Sequence, residues 1–106
     1  MTQFEDRERA FEARFAHDEE LRFKSIARRN KLLGVWAAQQ LGREGADAEA
    51  YAKDVIRADF DEPGDEDVFR KVYGDLSAAG ISITEEAVRL KMRELLMTAA
   101  EEISAS

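Results

Sequence analysis

Apolar residues along this chain recur at spacings of three and four, the period of helices that bury one face. Strict alternation of apolar and polar residues never persists, and β-branched residues are sparse, so no strand pattern competes. The punctuation divides the chain into four helical segments. Gly42 and Gly45 are expected to close the first, Pro63-Gly64 to separate the second from the third, and Gly80 to end the third. In the second, Ala48, Tyr51, Ala52, Val55, Ile56 and Phe60 form a stripe behind Asp47, the expected N-cap. The third opens with Asp65-Glu66-Asp67, carboxylates suited to a helix N-terminus, and buries Val68, Phe69, Val72, Tyr73 and Leu76. In the fourth, Ser82-Ile83-Thr84-Glu85 fits a capping box, and Val88, Met92, Leu95, Leu96, Ala99 and Ile103 share one face.

The first segment is longer and less uniform. From Phe23 to Leu41, the pattern sends Phe23, Ile26, Ala27, Leu33, Trp36, Ala37 and Leu41 inward and leaves Arg28, Arg29 and Lys31 outside. Ahead of it, Phe4, Phe11 and Phe15 make a thin aromatic stripe amid charge, with helix-supporting pairs Glu5/Arg9, Asp18/Arg22 and Glu20/Lys24. Two readings fit these aromatics. Either they complete the bundle core, or they form an amphipathic recognition segment for a partner's groove. Periodicity alone does not separate the two.

A chain of 106 residues has room for one domain and one modest core. Charged residues make up 37% of it, against roughly 25% in a typical domain, which suits a helical surface laced with ion pairs. The net charge of −7 is unevenly spread. Up to Lys31 the bases exceed the acids by one; from Arg43 onward sixteen acids face eight bases, as if two parts of the chain met different surroundings. With no cysteine there is no disulfide or thiolate chemistry, which agrees with a cytoplasmic protein. The start at Met1-Thr2-Gln3-Phe4 lacks a secretory pattern, and no apolar run reaches the ~18 residues of a membrane span.

Enzyme chemistry finds no footing. His17 is the single histidine and stands beside Asp18-Glu19-Glu20, so a solvated helix face accounts for it better than a metal site. The acidic stretch from Asp59 to Asp67 invites comparison with a calcium loop. Aligned on Gly64, however, it puts Pro63 at a ligand position and Arg70 where the bidentate Glu belongs. Glycines are dispersed and no Gly-Lys-Ser/Thr triplet occurs, which excludes a classical phosphate loop. Arg28-Arg29-Asn30-Lys31 can touch phosphates, but a pI near 4.8 argues against nucleic acid as the main partner. Neither a cofactor nor a metal is expected.

Three runs, in order, resemble a known family. They are Phe4 to Leu21 (FEDRERAFEARFAHDEEL), Ala27 to Ala38 (ARRNKLLGVWAA), and Asp59 to Lys71 (DFDEPGDEDVFRK), with Tyr51-Ala52 between the last two. Together they resemble the zeta subunit family of alpha-proteobacterial F-type ATP synthases over nearly the whole chain. The departure lies at Ala79-Gly80-Ile81-Ser82-Ile83-Thr84, less polar here than in the family.

The resemblance implies an all-α protein, a four-helix bundle (19–106) with a flexible N-terminal arm (1–18), flexible while the protein is free. It implies a non-enzymatic inhibitor whose arm inserts at a catalytic interface of the F1 head, among its alpha, beta and gamma subunits, and blocks ATP hydrolysis. The arm is also similar to the inhibitory region of the mitochondrial ATPase inhibitor. Phe4, Phe11 and Phe15, with Ala10, are the expected docking contacts, and Arg7, Glu8 and Glu12 the charges that pair across the interface. The expected protein is a monomer when free, cytoplasmic, and peripheral to the inner membrane through the synthase. Alternatives from other classes are a small helical adaptor and a nucleotide-sensing bundle using Arg28, Arg29 and Lys31.

Overall fold

The computed structural model describes residues 2–59 and 65–105, except for the side chain of Phe4, and every regular element among them is an α-helix. There are five: α1 (Gln3–Phe15), α2 (Glu19–Gln40), α3 (Gly45–Ala58), α4 (Glu66–Ala78) and α5 (Glu85–Ala105). The count differs from the sequence reading because the first segment divides. Asp18 takes extended backbone (φ −129°, ψ 97°), and its carboxylate accepts a hydrogen bond from the Leu21 amide at 2.9 Å. An aspartate spent on capping cannot continue the helix before it. Asp18-Glu19-Glu20 carried this signal, an N-cap followed by an acidic first turn, but the aromatic stripe on one side and the apolar stripe on the other concealed it.

Two of the expected glycine stops end helices by the same device. After α2, Gly42 (φ 76°) and Arg43 donate their amides to the carbonyls of Gln39 (3.1 Å) and Ala38 (2.9 Å). After α4, Gly80 (φ 78°) and Ile81 bond to Ser77 and Leu76, each at 3.0 Å. Both are Schellman closures, in which a left-handed residue without Cβ strain lets the chain satisfy the last carbonyls. Gly45 does not close the first segment; it is the first residue of α3, whose N-cap is Glu44 rather than Asp47. Before α5 the capping box from Ser82 is replaced by a single cap, with the Thr84 hydroxyl accepting the Ala87 amide at 3.0 Å. Phe60 and the Pro63-Gly64 turn lie outside the described residues.

α2 is the central element, packed mainly on α3 and α5, with α4 closing the bundle against α3, α2 and α5. The core gathers Leu33 and Ala37 of α2, Tyr51 and Val55 of α3, Val68, Val72 and Leu76 of α4, and Val88 and Met92 of α5. Trp36, Leu41, Ala48, Tyr73 and Leu95 pack against it from partly buried positions. α2 and α3 cross closely because Gly34 has no side chain: a Cβ there would stand 2.6 Å from the Ala52 Cα.

The inward face of α2 is the one that periodicity selected only in its second half, where Leu33 and Ala37 are buried and Trp36 and Leu41 pack against the core. Phe23, expected in the core, is 77% exposed, and Ala27 is exposed too. Ser25, Arg29 and Asn30 are fully buried in their place. Arg29 was expected outside, yet only 1% of its side chain is accessible, because Asp65 at the start of α4 accepts Nη2 at 2.7 Å and the side-chain Oδ1 of Asn30 accepts Nε at 2.8 Å. A buried guanidinium is tolerated when its donors are satisfied and a carboxylate balances its charge.

Candidate protein-docking site

α1 is short, so its ends matter. Thr2 caps it, the hydroxyl accepting the Glu5 amide at 3.1 Å; Glu5 and Asp6 lie in the positive first turn and Arg14 in the negative last turn. Six of the seven expected docking residues have described side chains, all on this helix; that of Phe4 lies outside them. Phe11 and Phe15 are four apart and therefore share a face, their ring centroids 4.8 Å apart and the planes tilted by 36°. Both are half-buried, as is Glu8; Arg7, Ala10 and Glu12 are exposed. The Arg22 guanidinium stands 5.9 Å from the Phe15 ring centroid, a cation over an aromatic face that ties the end of α1 to α2.

One flank of α1 rests on α5. Arg7 forms an ion pair with Glu101, and Arg14 Nη2 donates to the Ser104 hydroxyl at 3.0 Å, both on the exposed surface. Beside them lies a groove of about 180 Å³, open to solvent, with Ala10 and Phe11 from α1, Leu21 from α2 and Ala100 from α5 as its apolar lining. The structure thus brings Arg7, Ala10 and Phe11 together on the side facing the bundle, while Glu12 points away into solvent. The α5 half of this contact was not anticipated. Ala99 and Ile103 were expected on the buried face, but the residues beside them, Ala100 and Ser104, are small and four apart. That spacing admits another helix, and it was the available signal.

The basic run of α2 is split. Arg29 is buried with Asp65, whereas Arg28, which pairs with Glu102 at 3.1 Å, and Lys31 line one surface groove together with Lys24. His17 sits in the exposed turn between α1 and α2. Among the described residues, no group of three or more His, Asp or Glu is placed to hold a metal ion. Residues 60–64 of the stretch compared with a calcium loop lie outside those described. On the far side of the bundle Arg89 grips Glu66 with two hydrogen bonds (3.0 and 3.3 Å) and lies 3.8 Å over the Phe69 ring. The same guanidinium lowers the Glu66 carboxyl below its ordinary range, and Glu66 raises Arg89 in return. No described helix is long and apolar enough to cross a membrane.

What these elements define is a helical bundle carrying an appended amphipathic helix. The chain belongs to the ATPase inhibitor subunit zeta family, whose model matches residues 1–102. A solved structure, described as the solution NMR structure of a protein, is similar to it with 46% identity and a TM-score of 0.70, covering 80% of this chain and 96% of that one. No curated protein matches it significantly.

Proposed function

We propose that this protein inhibits ATP hydrolysis by the F1 head of an F-type ATP synthase by inserting α1 at a catalytic interface, among the alpha, beta and gamma subunits. The observation that supports this is the build of α1. It is capped at its start and carries an aromatic pair, Phe11 and Phe15, flanked by the charges Arg7, Glu8 and Glu12. It is joined to the bundle along one flank, by polar contacts at the surface and over a gap. Helix-in-groove recognition uses apolar residues at this spacing, with charges at the rim to fix orientation. Phe4, Ala10, Phe11 and Phe15 would fill the groove, and Arg7, Glu8 and Glu12 would pair around it. The bundle then serves as a bulky tether that keeps the helix near its target, raising its effective concentration. Blocking rotation needs a wedge, and no covalent chemistry enters.

The test is ATP hydrolysis by F1 from the source organism, stripped of this protein and reconstituted with the full chain or with a chain beginning at Asp18, which retains the α2 cap. Hydrolysis is expected to fall with the full chain and to persist with the shortened one. Equal inhibition by both would move the activity to the bundle, and no inhibition by either would remove the proposal.

A further inference from the structure

Three of the residues assigned to the docking face, Arg7, Ala10 and Phe11, are turned toward the protein's own bundle. A groove that closed fully over them would have to displace α5, because Arg7 and Phe11 already spend part of their surface on the bundle. We infer that α1 resting on α5 is a self-restraining contact: the helix is stored on the α2/α5 face through Arg7–Glu101 and Arg14–Ser104, and must leave that face to inhibit. The inference rests on the proposed function and adds the step that controls it.

The geometry of the contact suits release. Its two polar links lie on the exposed surface, where ion pairs and hydrogen bonds exchange readily with water. Its apolar part borders a groove of about 180 Å³, open to solvent, between Phe11, Leu21 and Ala100, so the facing surfaces make fewer close contacts than a packed core does. By contrast the residues of the main core, from Leu33 to Met92, all belong to α2–α5, so α1 can depart without opening it. A helix of 13 residues is marginal in water by itself. Undocking therefore melts α1, and the segment refolds on its target. The docked fraction lowers apparent affinity in proportion to the free fraction that remains.

Glu101 is the residue to change, because it belongs to the storage contact and not to the proposed docking set. Glu101→Arg replaces an attraction to Arg7 with a repulsion on an exposed turn of α5. Two readings are taken on the full chain. Amide hydrogen exchange in α1 is expected to accelerate about tenfold or more while α2–α5 stays protected, as local unfolding requires. The concentration giving half-inhibition of F1 is expected to fall roughly threefold to tenfold. The double variant Arg7→Glu/Glu101→Arg, which re-forms the pair with its charges exchanged, should return α1 exchange toward the original rate.

Unprotected α1 amides in the unaltered protein would overturn the inference, as would exchange unchanged by Glu101→Arg. Faster exchange without greater potency would overturn it as well. If the unaltered chain fails to inhibit at all, it is the proposed function that falls, and the restraint falls with it. If the unaltered chain inhibits and the variant is no stronger, the restraint alone is wrong.

Discussion

The most consequential side chain in the bundle is one that the sequence places on the wrong side. Arg29 occupies a core-facing position of α2 and depends on Asp65, which is itself half-exposed at the start of α4. The two partners are therefore not equivalent. Removing Asp65 leaves a buried guanidinium without an anion, whereas removing Arg29 leaves a carboxylate that water can reach. Asp65→Ala is expected to cost about 3 kcal/mol, and Arg29→Met, which preserves volume, clearly less; urea unfolding of the two variants checks the order. Tyr51 carries the second buried polar group of note. Its hydroxyl donates to Asp75 at 2.8 Å, and burial first, then the Asp75 hydrogen bond, pushes its ionisation well above the ordinary range. A folded-state value raised in this way makes a contribution to stability that is fully present below the unfolded tyrosine value of about 10 and is lost as pH rises above it. Unfolding free energy should therefore decline above about pH 10, and Tyr51→Phe should shallow that decline while costing about 1 kcal/mol near neutrality.

At the scale of elements, helix ends and one close crossing set the arrangement. Gly42 and Gly80 end α2 and α4 where the sequence indicates, because a left-handed residue after an apolar stripe is a local signal. The break between α1 and α2 is equally local, written in Asp18-Glu19-Glu20, but it lies within a run of helix-favouring residues that obscures it. The α2/α3 crossing is different in kind. Nothing in the periodicity marks Gly34 as the point of approach, since its meaning comes from Ala52, eighteen positions along the chain. Gly34→Ala would gain helix propensity in an isolated helix, yet here its methyl meets backbone that cannot yield without parting the helices. We expect a net loss of about 1–3 kcal/mol, read as a lower urea midpoint with an unchanged slope.

Over the whole molecule, the division of labour between α1 and the remaining helices follows from where the core lies. Among the described residues, the members of the main apolar cluster come from α2 to α5, and α1 adds a flank over Leu21 and Ala100. The chain beginning at Asp18 should therefore unfold in a single cooperative transition, even with Leu21 uncovered; a broad, non-cooperative melt by circular dichroism would show that α1 is part of the core. The net charge of −7 adds to this picture, because sixteen of the 23 acids lie from Arg43 onward while α1 and α2 carry eight of the sixteen bases. Arg7–Glu101 and Arg28–Glu102 both join the basic early part of the chain to the acidic end of α5. The asymmetry read as two surroundings is thus also used within the molecule.

By itself the sequence determined the all-helical class, the glycine stops of α2 and α4, and nearly all the described core of α3, α4 and α5, because each of these depends on residues within a turn or two of one another. It also carried the family resemblance and singled out the aromatic stripe of α1. Tertiary structure decided which face of the first half of α2 is buried, while Leu33, Trp36, Ala37 and Leu41 lie inward as expected. Three- and four-residue spacing identifies an apolar face only when the polar residues on it have no partners, and Arg29 has one thirty-six positions away in Asp65. Separation along the chain likewise hid the exposure of Phe23, the crossing at Gly34 and the seat of α1 on Glu101 and Ser104, since a residue's burial is a property of what arrives opposite it.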